Sequence, residues 1–290
     1  MISRTLYLFL LLFFNKILLG QTVSPALQFE QGKKLTIRID AKATVAQQAG
    51  GQAIDFTADG FAVHSYKVIN KGGGNTTLHH EAQRVVFNFD GMGQKHSFDS
   101  DRKEDIEGSF GEPVKNILGR NFDIVIDPNG KVLSTRSEKK EAFKTDDRLS
   151  IVFNMLKDIT DVVYPPQKGK SSFFQILPGK EIKKGESWNE SGQNENGKYN
   201  TEYNLSDITD STIVVNFKST ANTITKTTMM GREATTNMNS ASTGTIILDK
   251  NTKLIREKTI VTESNGNTEA MGGTLPVTSK TTITIVVKPE

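Results

Sequence analysis

Apolar and polar residues alternate along most of this chain. Leu35, Ile37 and Ile39 alternate with polar residues between Lys34 and Asp40. The same period of two recurs at residues 54–58, 85–89, 122–126, 199–205, 213–217 and 277–287. Such alternation places one set of side chains on the buried face of a sheet and the other in water. The pattern predicts about a dozen strands in a mainly β (β-rich α+β) fold, built from curved antiparallel sheets or open barrel-like halves.

Two segments depart from this period. Between residues 147 and 163 the apolar residues follow helical spacing and form one stripe: Leu149, Val152, Phe153, Leu156, Ile159 and Val163. Asp146 and Asp147 suit the start of a helix, and the prolines at 165–166 end it. We therefore predict a long amphipathic helix over about 147–163, packed on a sheet face, and a short helix over about 113–118.

Two pairs of segments resemble each other within the chain. Phe122–Leu133 and Thr245–Ile255 both follow the order strand, acidic turn, lysine, strand. Phe29–Leu35 and Ile182–Trp188 both place a glycine before a strand. These similarities favour two similar β units on either side of the helix, although β-hairpins resemble one another in any protein.

The first twenty residues are typical of a secretory signal. Arg4 precedes an apolar run from Leu6 to Phe14, which Asn15 and Lys16 interrupt. A membrane span needs about 20 apolar residues, so we predict a cleaved signal peptide and hold an N-terminal anchor helix as the alternative. The predicted organisation is a signal peptide over 1–20, an N-terminal β unit over 21–137, a helical connector over 138–170 packed on the sheet, and a C-terminal β unit over 171–290, or else one continuous domain over 21–290.

The cysteine count and the charge narrow the class of protein further. The chain has no cysteine, so it forms no disulfides and lacks the residue that carries the lipid of a bacterial lipoprotein. Without Arg4 and Lys16 of the signal, 34 basic and 33 acidic side chains remain. A nearly neutral chain has no overall attraction to nucleic acid. We expect a soluble monomer, periplasmic or extracellular, with no nucleic-acid partner and no stable membrane span after cleavage.

The residues that could carry metal chemistry lack the required spacing. The histidines are His64, His79, His80 and His96. Adjacent residues of a strand point to opposite faces, so His79 and His80 cannot bind one metal together. We expect a surface or structural role for all four.

One acidic cluster has some similarity to a calcium loop: Asp99, Asp101, Glu104 and Asp105. Arg102 and Lys103 place positive charge inside it, and the glycine of an EF-hand turn is missing. A solvated charged loop is the better interpretation. The chain also lacks a Gly-x-Ser-x-Gly motif, and we predict no catalytic, metal or cofactor site.

Five short motifs resemble a known group of proteins: Phe29-x-x-Gly32-x-x-Leu35, Phe98-Asp99-Ser100-Asp101, Leu118-Gly119-x-x-Phe122, Asp127-x-x-Gly130-x-Val132 and Ile182-x-x-Gly185-x-Ser187-Trp188. In this order they resemble a family of exported bacterial proteins known only as a domain of unknown function. The resemblance covers nearly the whole chain after the signal. It implies a β-rich, exported protein and transfers no catalytic residue.

The function that these features favour is noncatalytic binding. The chain holds 16 phenylalanines against one tryptophan, and a helix across a curved sheet can enclose an apolar cavity for a hydrophobic small molecule or lipid. The predicted cavity residues are Leu149, Val152, Phe153, Leu156 and Trp188. A role in the core is the alternative for Trp188.

Two other classes of function stay open. A cell-envelope structural or protein-interaction module could pair a partner chain with threonine-rich sheet edges such as Thr220–Thr228. The second is a secreted hydrolase, for which the predicted export is the only supporting observation.

Overall fold

The computed structural model describes nine stretches of the chain: residues 22–49, 52–91, 93–119, 121–137, 159, 167–194, 197–229, 232–270 and 272–290. Strands make up 70% of these residues and helices 6%, which confirms a mainly β fold. The predicted signal peptide over 1–20 lies outside the described residues.

Fourteen strands and two short helices follow in chain order within these stretches. They are β1 (Thr22–Val23), β2 (Lys34–Ala49), β3 (Gln52–Gly72), β4 (Asn75–Gly91), β5 (Gln94–Asp99), α1 (Lys103–Glu107), α2 (Gly111–Leu118), β6 (Phe122–Ile126), β7 (Val132–Ser137), β8 (Ile182–Lys183), β9 (Ser187–Asn194), β10 (Gly197–Ile208), β11 (Thr212–Met229), β12 (Arg232–Asp249), β13 (Ile255–Ala270) and β14 (Gly273–Pro289).

Twelve of the strands form one antiparallel sheet. Their order is β7-β6-β4-β3-β2-β14-β13-β12-β11-β10-β9, and β5 also pairs with β4. β1 and β8 pair separately. The pairing of β2 with β14, with Ile39 opposite Ile285, joins the first and last long strands. Strands from both ends of the described chain therefore share one continuous sheet.

The two faces of this sheet differ in polarity. On β2 and β3 the alternate residues Ile37, Ile39 and Ala62 are fully buried. We call the face that carries them the inner face. Between them the strands carry charged residues such as Arg38 and Asp40, whose guanidinium and carboxylate lie 2.7 Å apart on the outer face. The alternation of the sequence thus sorts side chains between a core and water.

Two segments outside the long strands cover part of the inner face: the segment before β2, which carries Phe29, and the segment before β8, which carries Phe174. The ring of Phe174 packs edge-on against Phe29 at 5.4 Å and against Tyr66 of β3 at 5.1 Å. The segment before β2 is tied down by backbone bonds, in which Leu27 donates to the carbonyl of Pro128 and Gln28 to that of Thr252. These contacts close one end of the inner face with aromatic side chains, which bury the most area per residue.

The short helix predicted over 113–118 is confirmed as α2, with Val114 fully buried and Gly119 at its C-terminal end. Of the long helix predicted over 147–163, only Ile159 lies inside the described residues, so a long amphipathic helix is not among the described elements. Ile159 itself is 1% exposed and belongs to the core.

The two glycine segments that resemble each other in sequence have matching local geometry. Gly32 and Gly185 both adopt positive φ, +82° and +89°, a conformation that favours glycine. The amide of Gly32 donates to the carbonyl of Val68 on β3, and the amide of Gly185 donates to that of Leu205 on β10. The division of the chain into two β units stays a prediction.

The threonine-rich strand predicted as a sheet edge has two kinds of surroundings. Thr220 and Thr223 of β11 pair with β10 on one side and β12 on the other. From Ile224 to Thr228 the described chain pairs β11 with β12 alone. The prediction of an edge was therefore wrong for the first part of this segment, because the β9–β10 hairpin covers it.

Candidate functional site

Three aromatic residues lie side by side on the inner face of β9, β10 and β11. The register places Trp188 opposite Tyr203, and Tyr203 opposite Phe217. Trp188 and Tyr203 stack with ring centres 5.3 Å apart and planes 12° apart, and Tyr203 and Phe217 follow at 5.9 Å and 43°. Trp188 and Tyr203 are only half-buried. We call Trp188, Tyr203 and Phe217 the aromatic row.

A glycine on the next strand accommodates the last ring of this row. Gly244 of β12 lies opposite Phe217. A Cβ at this position would come within 2.5 Å of the Phe217 ring and 2.1 Å of the carbonyl oxygen of Thr259. The ring therefore lies down over the backbone of β12, an approach that only glycine permits.

Lys258 of β13 faces the same region. Its ammonium lies 5.5 Å from the centre of the Phe217 ring, although β11 and β13 are two strands apart. Burial lowers the pKa of Lys258 to about 8, and the charge of Glu190 on β9 opposes this shift. The parity of their register positions places Glu190, like Trp188, and Lys258, between Ile246 and Ile285, on the same inner face.

Glu190 also organises the tyrosine beside it. Burial raises the pKa of Tyr203 to about 12, and the charge of Glu190 and a hydrogen bond with its carboxylate contribute to the shift. Tyr203 therefore stays a neutral phenol at any physiological pH. This part of the inner face thus combines aromatic side chains with the carboxylate of Glu190 and the ammonium of Lys258.

Next to the aromatic row the inner face carries hydroxyl groups that pair across the strands. The oxygens of Thr201 and Ser219 lie 2.7 Å apart, and those of Ser242 and Thr262 lie 2.8 Å apart. In the first pair Thr201 donates to Ser219, which itself donates to the carbonyl of Asn200. In the second pair one hydroxyl donates to the other, and the remaining proton is available to another acceptor. The inner face here can therefore offer hydrogen bonds beside its apolar surface.

The outer face of the same strands forms a shallow groove of about 600 Å³. Its lining mixes polar residues such as Glu202, Asn204 and Lys218 with the apolar residues Phe217 and Val261, and its apolar surface slightly exceeds its polar surface.

The predicted cavity residues have different outcomes. Leu149, Val152, Phe153 and Leu156 lie outside the described residues. Trp188 is described and lies at the end of the aromatic row. Glu190, Tyr203, Phe217 and Lys258 are not among the site residues predicted from the sequence. Lys258 could have been identified from the sequence, because alternation places it on the same face as Ile260. A lysine at an inward-facing position of a strand is unusual and therefore indicates a candidate functional residue.

The histidines behave as structural and surface residues. His79 lies on the outer face, where its Nδ1 is 2.7 Å from the carboxylate of Asp123, while His80 is fully buried on the inner face. This confirms that the two neighbours point to opposite faces. His80 stacks instead on the buried ring of His64, with ring centres 5.3 Å apart.

The acidic cluster around α1 is neutralised by arginines. The guanidinium of Arg84 contacts the carboxylates of Asp99 and Asp101, and Arg102 contacts Asp105. In the part of the chain that the structure describes, no group of three or more potential ligands could hold a metal ion. These ion pairs occupy carboxylate oxygens that a calcium ion would otherwise need.

The fold is similar to part of lipovitellin, in a structure described as "Lipid-protein interactions in lipovitellin", with a TM-score of 0.50 and 10% identity. The match covers 91% of this chain and 26% of the lipovitellin chain, so this chain spans about a quarter of that protein. At this identity the similarity concerns the fold alone.

Two more distant similarities involve bacterial outer-membrane proteins. An outer membrane channel from Pseudomonas putida F1 matches with a TM-score of 0.27 and 5% identity, over 91% of this chain and 98% of the channel. The translocator domain of the autotransporter NalP from Neisseria meningitidis matches with a TM-score of 0.22 and 6% identity, over 90% of each chain. These values are too low to inform the fold. Neither of the described helices has the length and apolar content to cross a membrane.

No curated protein matches this sequence. A family model does match one part of it, and that part contains Ile182–Trp188, β9, β10, β11, β12 and the whole aromatic row. The resemblance to a domain of unknown function is thereby confirmed for this part, and export is a separate expectation. Residues 167–255 of this chain match the family described as "Family of unknown function (DUF6263)".

Proposed function

We propose that this protein is an exported, noncatalytic binding protein that holds a hydrophobic small molecule or lipid on the inner face of β9–β14. The observation that carries the proposal is the aromatic row, because two of its three rings stay half-buried on the inner face. Covering apolar surface stabilises a complex by about 25 cal/mol per Å². A ligand that covers Trp188 and Tyr203 gains this free energy.

Two further observations support a lipid as the ligand. The row continues across the sheet through the apolar residues Ile260, Ile283 and Ala41, which lie opposite one another on β13, β14 and β2. The fold is similar to a part of lipovitellin, a protein described by its lipid–protein interactions. Export rests on the first twenty residues and belongs to the proposal.

The single tryptophan allows a direct test. We expect a fatty acid that carries bromine on its hydrocarbon chain to quench the emission of Trp188, while the unbrominated fatty acid does not. The control is Trp188→Phe combined with Ile69→Trp, which moves the reporter to an exposed position of β3, 43% accessible. The proposal requires quenching of Trp188 with little quenching at position 69.

Two results would count against this function. Equal quenching at both positions means nonspecific adsorption, and no quenching at Trp188 leaves the inner face without a ligand. Native mass spectra of the protein purified from its natural host provide an independent measurement. A bound mass of a few hundred daltons supports the carrier, whereas a clean apo mass favours the envelope interaction module.

A further inference from the structure

Lys258 is a cation on an otherwise apolar part of the inner face. Its register partners are Ile246 on β12 and Ile285 on β14, both fully buried. Lys280 of the neighbouring strand β14 lies on the outer face. It is exposed, and its ammonium pairs with the carboxylate of Glu263 at 2.9 Å. The two lysines lie on neighbouring strands but in opposite environments.

Within the described residues, no carboxylate lies at ion-pairing distance from the ammonium of Lys258. Glu190 acts on Lys258 from further away, and its carboxylate bonds to Tyr203. A cation that is partly removed from water without a close counter-ion is unfavourable. A ligand that supplies an anion would relieve this.

We propose that Lys258 binds the anionic head group of the ligand, and that the ligand is a single-chain amphiphile of the fatty-acid type. This inference rests on the proposed function and names its ligand class. The hydrocarbon chain lies along the aromatic row, over Phe217, Tyr203 and Trp188, and the carboxylate contacts the ammonium of Lys258, which lies 5.5 Å from the centre of the Phe217 ring. A charged hydrogen bond and apolar contact then act together, as in other amphiphile sites.

A charge comparison tests the inference. Oleate and oleyl alcohol share one hydrocarbon chain and differ in the charge of the head group, and Trp188 emission reports the binding of either below its aggregation concentration. We expect Lys258→Met to weaken oleate binding about tenfold or more and to leave oleyl alcohol binding within about twofold. Lys280→Gln is the matched control on the outer face and changes neither affinity.

The pH dependence provides a second measurement. Burial lowers the pKa of Lys258 to about 8, so the affinity for oleate decreases between pH 7 and pH 9 as the free protein loses this charge. Among the described residues, the charge that acts on Lys258 is that of Glu190, and the pKa of Tyr203 beside Glu190 is raised to about 12, so Tyr203 does not titrate in this range. Lys258→Arg keeps its charge, and its oleate affinity stays flat over the same range.

The outcomes separate the two proposals. If the wild type binds neither oleate nor oleyl alcohol, the proposed function fails. If it binds both and Lys258→Met weakens neither, or weakens both equally while the variant's thermal melt is unchanged, the assignment of Lys258 fails and the lipid-binding function stands. A loss confined to oleate, with rescue by Lys258→Arg, establishes the head-group site.

Discussion

The hydrogen bonds of the buried histidine pair define which ring nitrogen of His64 carries the proton, and the burial of His64 keeps its ring neutral. The Nε2 atom of His64 lies 3.3 Å from the carbonyl oxygen of Ile159, and its Nδ1 lies 3.1 Å from Nε2 of His80. A carbonyl oxygen only accepts hydrogen bonds, so neutral His64 carries its proton on Nε2 and its Nδ1 accepts from His80. Burial lowers the pKa of His64 to about 4, against the smaller opposing effect of the bond with Ile159.

This pKa predicts a loss of stability in mild acid. Between pH 6.5 and pH 4 the unfolded chain binds a proton at His64 that the folded chain does not, so the free energy of unfolding decreases as the pH falls through this window. The expected decrease is about 1.4 kcal/mol per pH unit and about 3 kcal/mol in total at pH 4. Urea unfolding at a series of pH values measures it.

Two variants separate His64 from the other titrating groups. His64→Gln removes the proton-binding site, so this part of the pH slope disappears whatever the variant's stability at pH 7. His96 is exposed, and its one hydrogen bond among the described residues is with Gln94, so His96→Gln is the matched surface control. An unchanged slope in His64→Gln contradicts the prediction.

The alternation of side chains along a strand predicts which face of the sheet a histidine occupies, but it does not predict which side chain the histidine contacts there. His79 and His80 are adjacent, so their opposite faces follow from the sequence. The stack of His64 on His80 depends on an irregularity of the β3–β4 pairing between Val63 and His64. That irregularity has no signature in the alternation of either strand, and only the paired structure shows it.

At the scale of elements, aspartates close two hairpins in the same way. The carboxylate of Asp127 at the end of β6 accepts from the amides of Asn129 and Lys131. The carboxylate of Asp249 at the end of β12 accepts from the amides of Asn251 and Thr252. The sequence similarity between these two segments therefore reflects a shared turn, in which an aspartate satisfies backbone donors that the strands leave free.

The turn at Asp249 also predicts a stability effect. Partial burial raises the pKa of Asp249, but hydrogen bonds from Thr252 and Arg256 outweigh it and hold the pKa at about 2. Asp249→Ala leaves these donors without their acceptor, so we expect a loss of about 1–3 kcal/mol. Chemical denaturation of the variant at pH 7 checks the value.

A matched substitution lies in the neighbouring β11–β10 hairpin. Asp210 is exposed, so Asp210→Ala changes stability by no more than about 0.5 kcal/mol. Equal effects of the two substitutions would mean that the bonds at Asp249 contribute little beyond those made with water.

At the scale of the whole molecule, the pairing of β2 with β14, which we call the seam, determines whether the chain unfolds as one cooperative unit. Register partners run from Val277 opposite Gln47 to Pro289 opposite Leu35, and the buried pair Ile39 and Ile285 lies within the seam. Strands far apart in sequence therefore share backbone hydrogen bonds and one core, which couples their unfolding.

We expect one cooperative unfolding transition. Trp188 fluorescence, which reports β9, and far-UV circular dichroism, which reports the whole sheet, should give the same midpoint in urea. Hydrogen exchange measured by mass spectrometry should give peptides of β2 and β14 similar protection. Two separate midpoints, with Trp188 changing first, would instead support two β units that unfold independently.

The β class, the faces of the strands, the turns at Gly32, Gly185, Asp127 and Asp249, and the short helix α2 follow from the amino-acid sequence. These features depend on residues close together in the chain, through side-chain alternation, glycine conformations and local hydrogen bonds. The strand order, the pairing of β2 with β14 and the meeting of Trp188, Tyr203, Phe217 and Lys258 could be read from the folded chain alone. These features depend on the pairing register of strands that are distant in sequence. A shift of a strand by two residues keeps the same residues on the inner face, so the alternation pattern does not distinguish one such register from another.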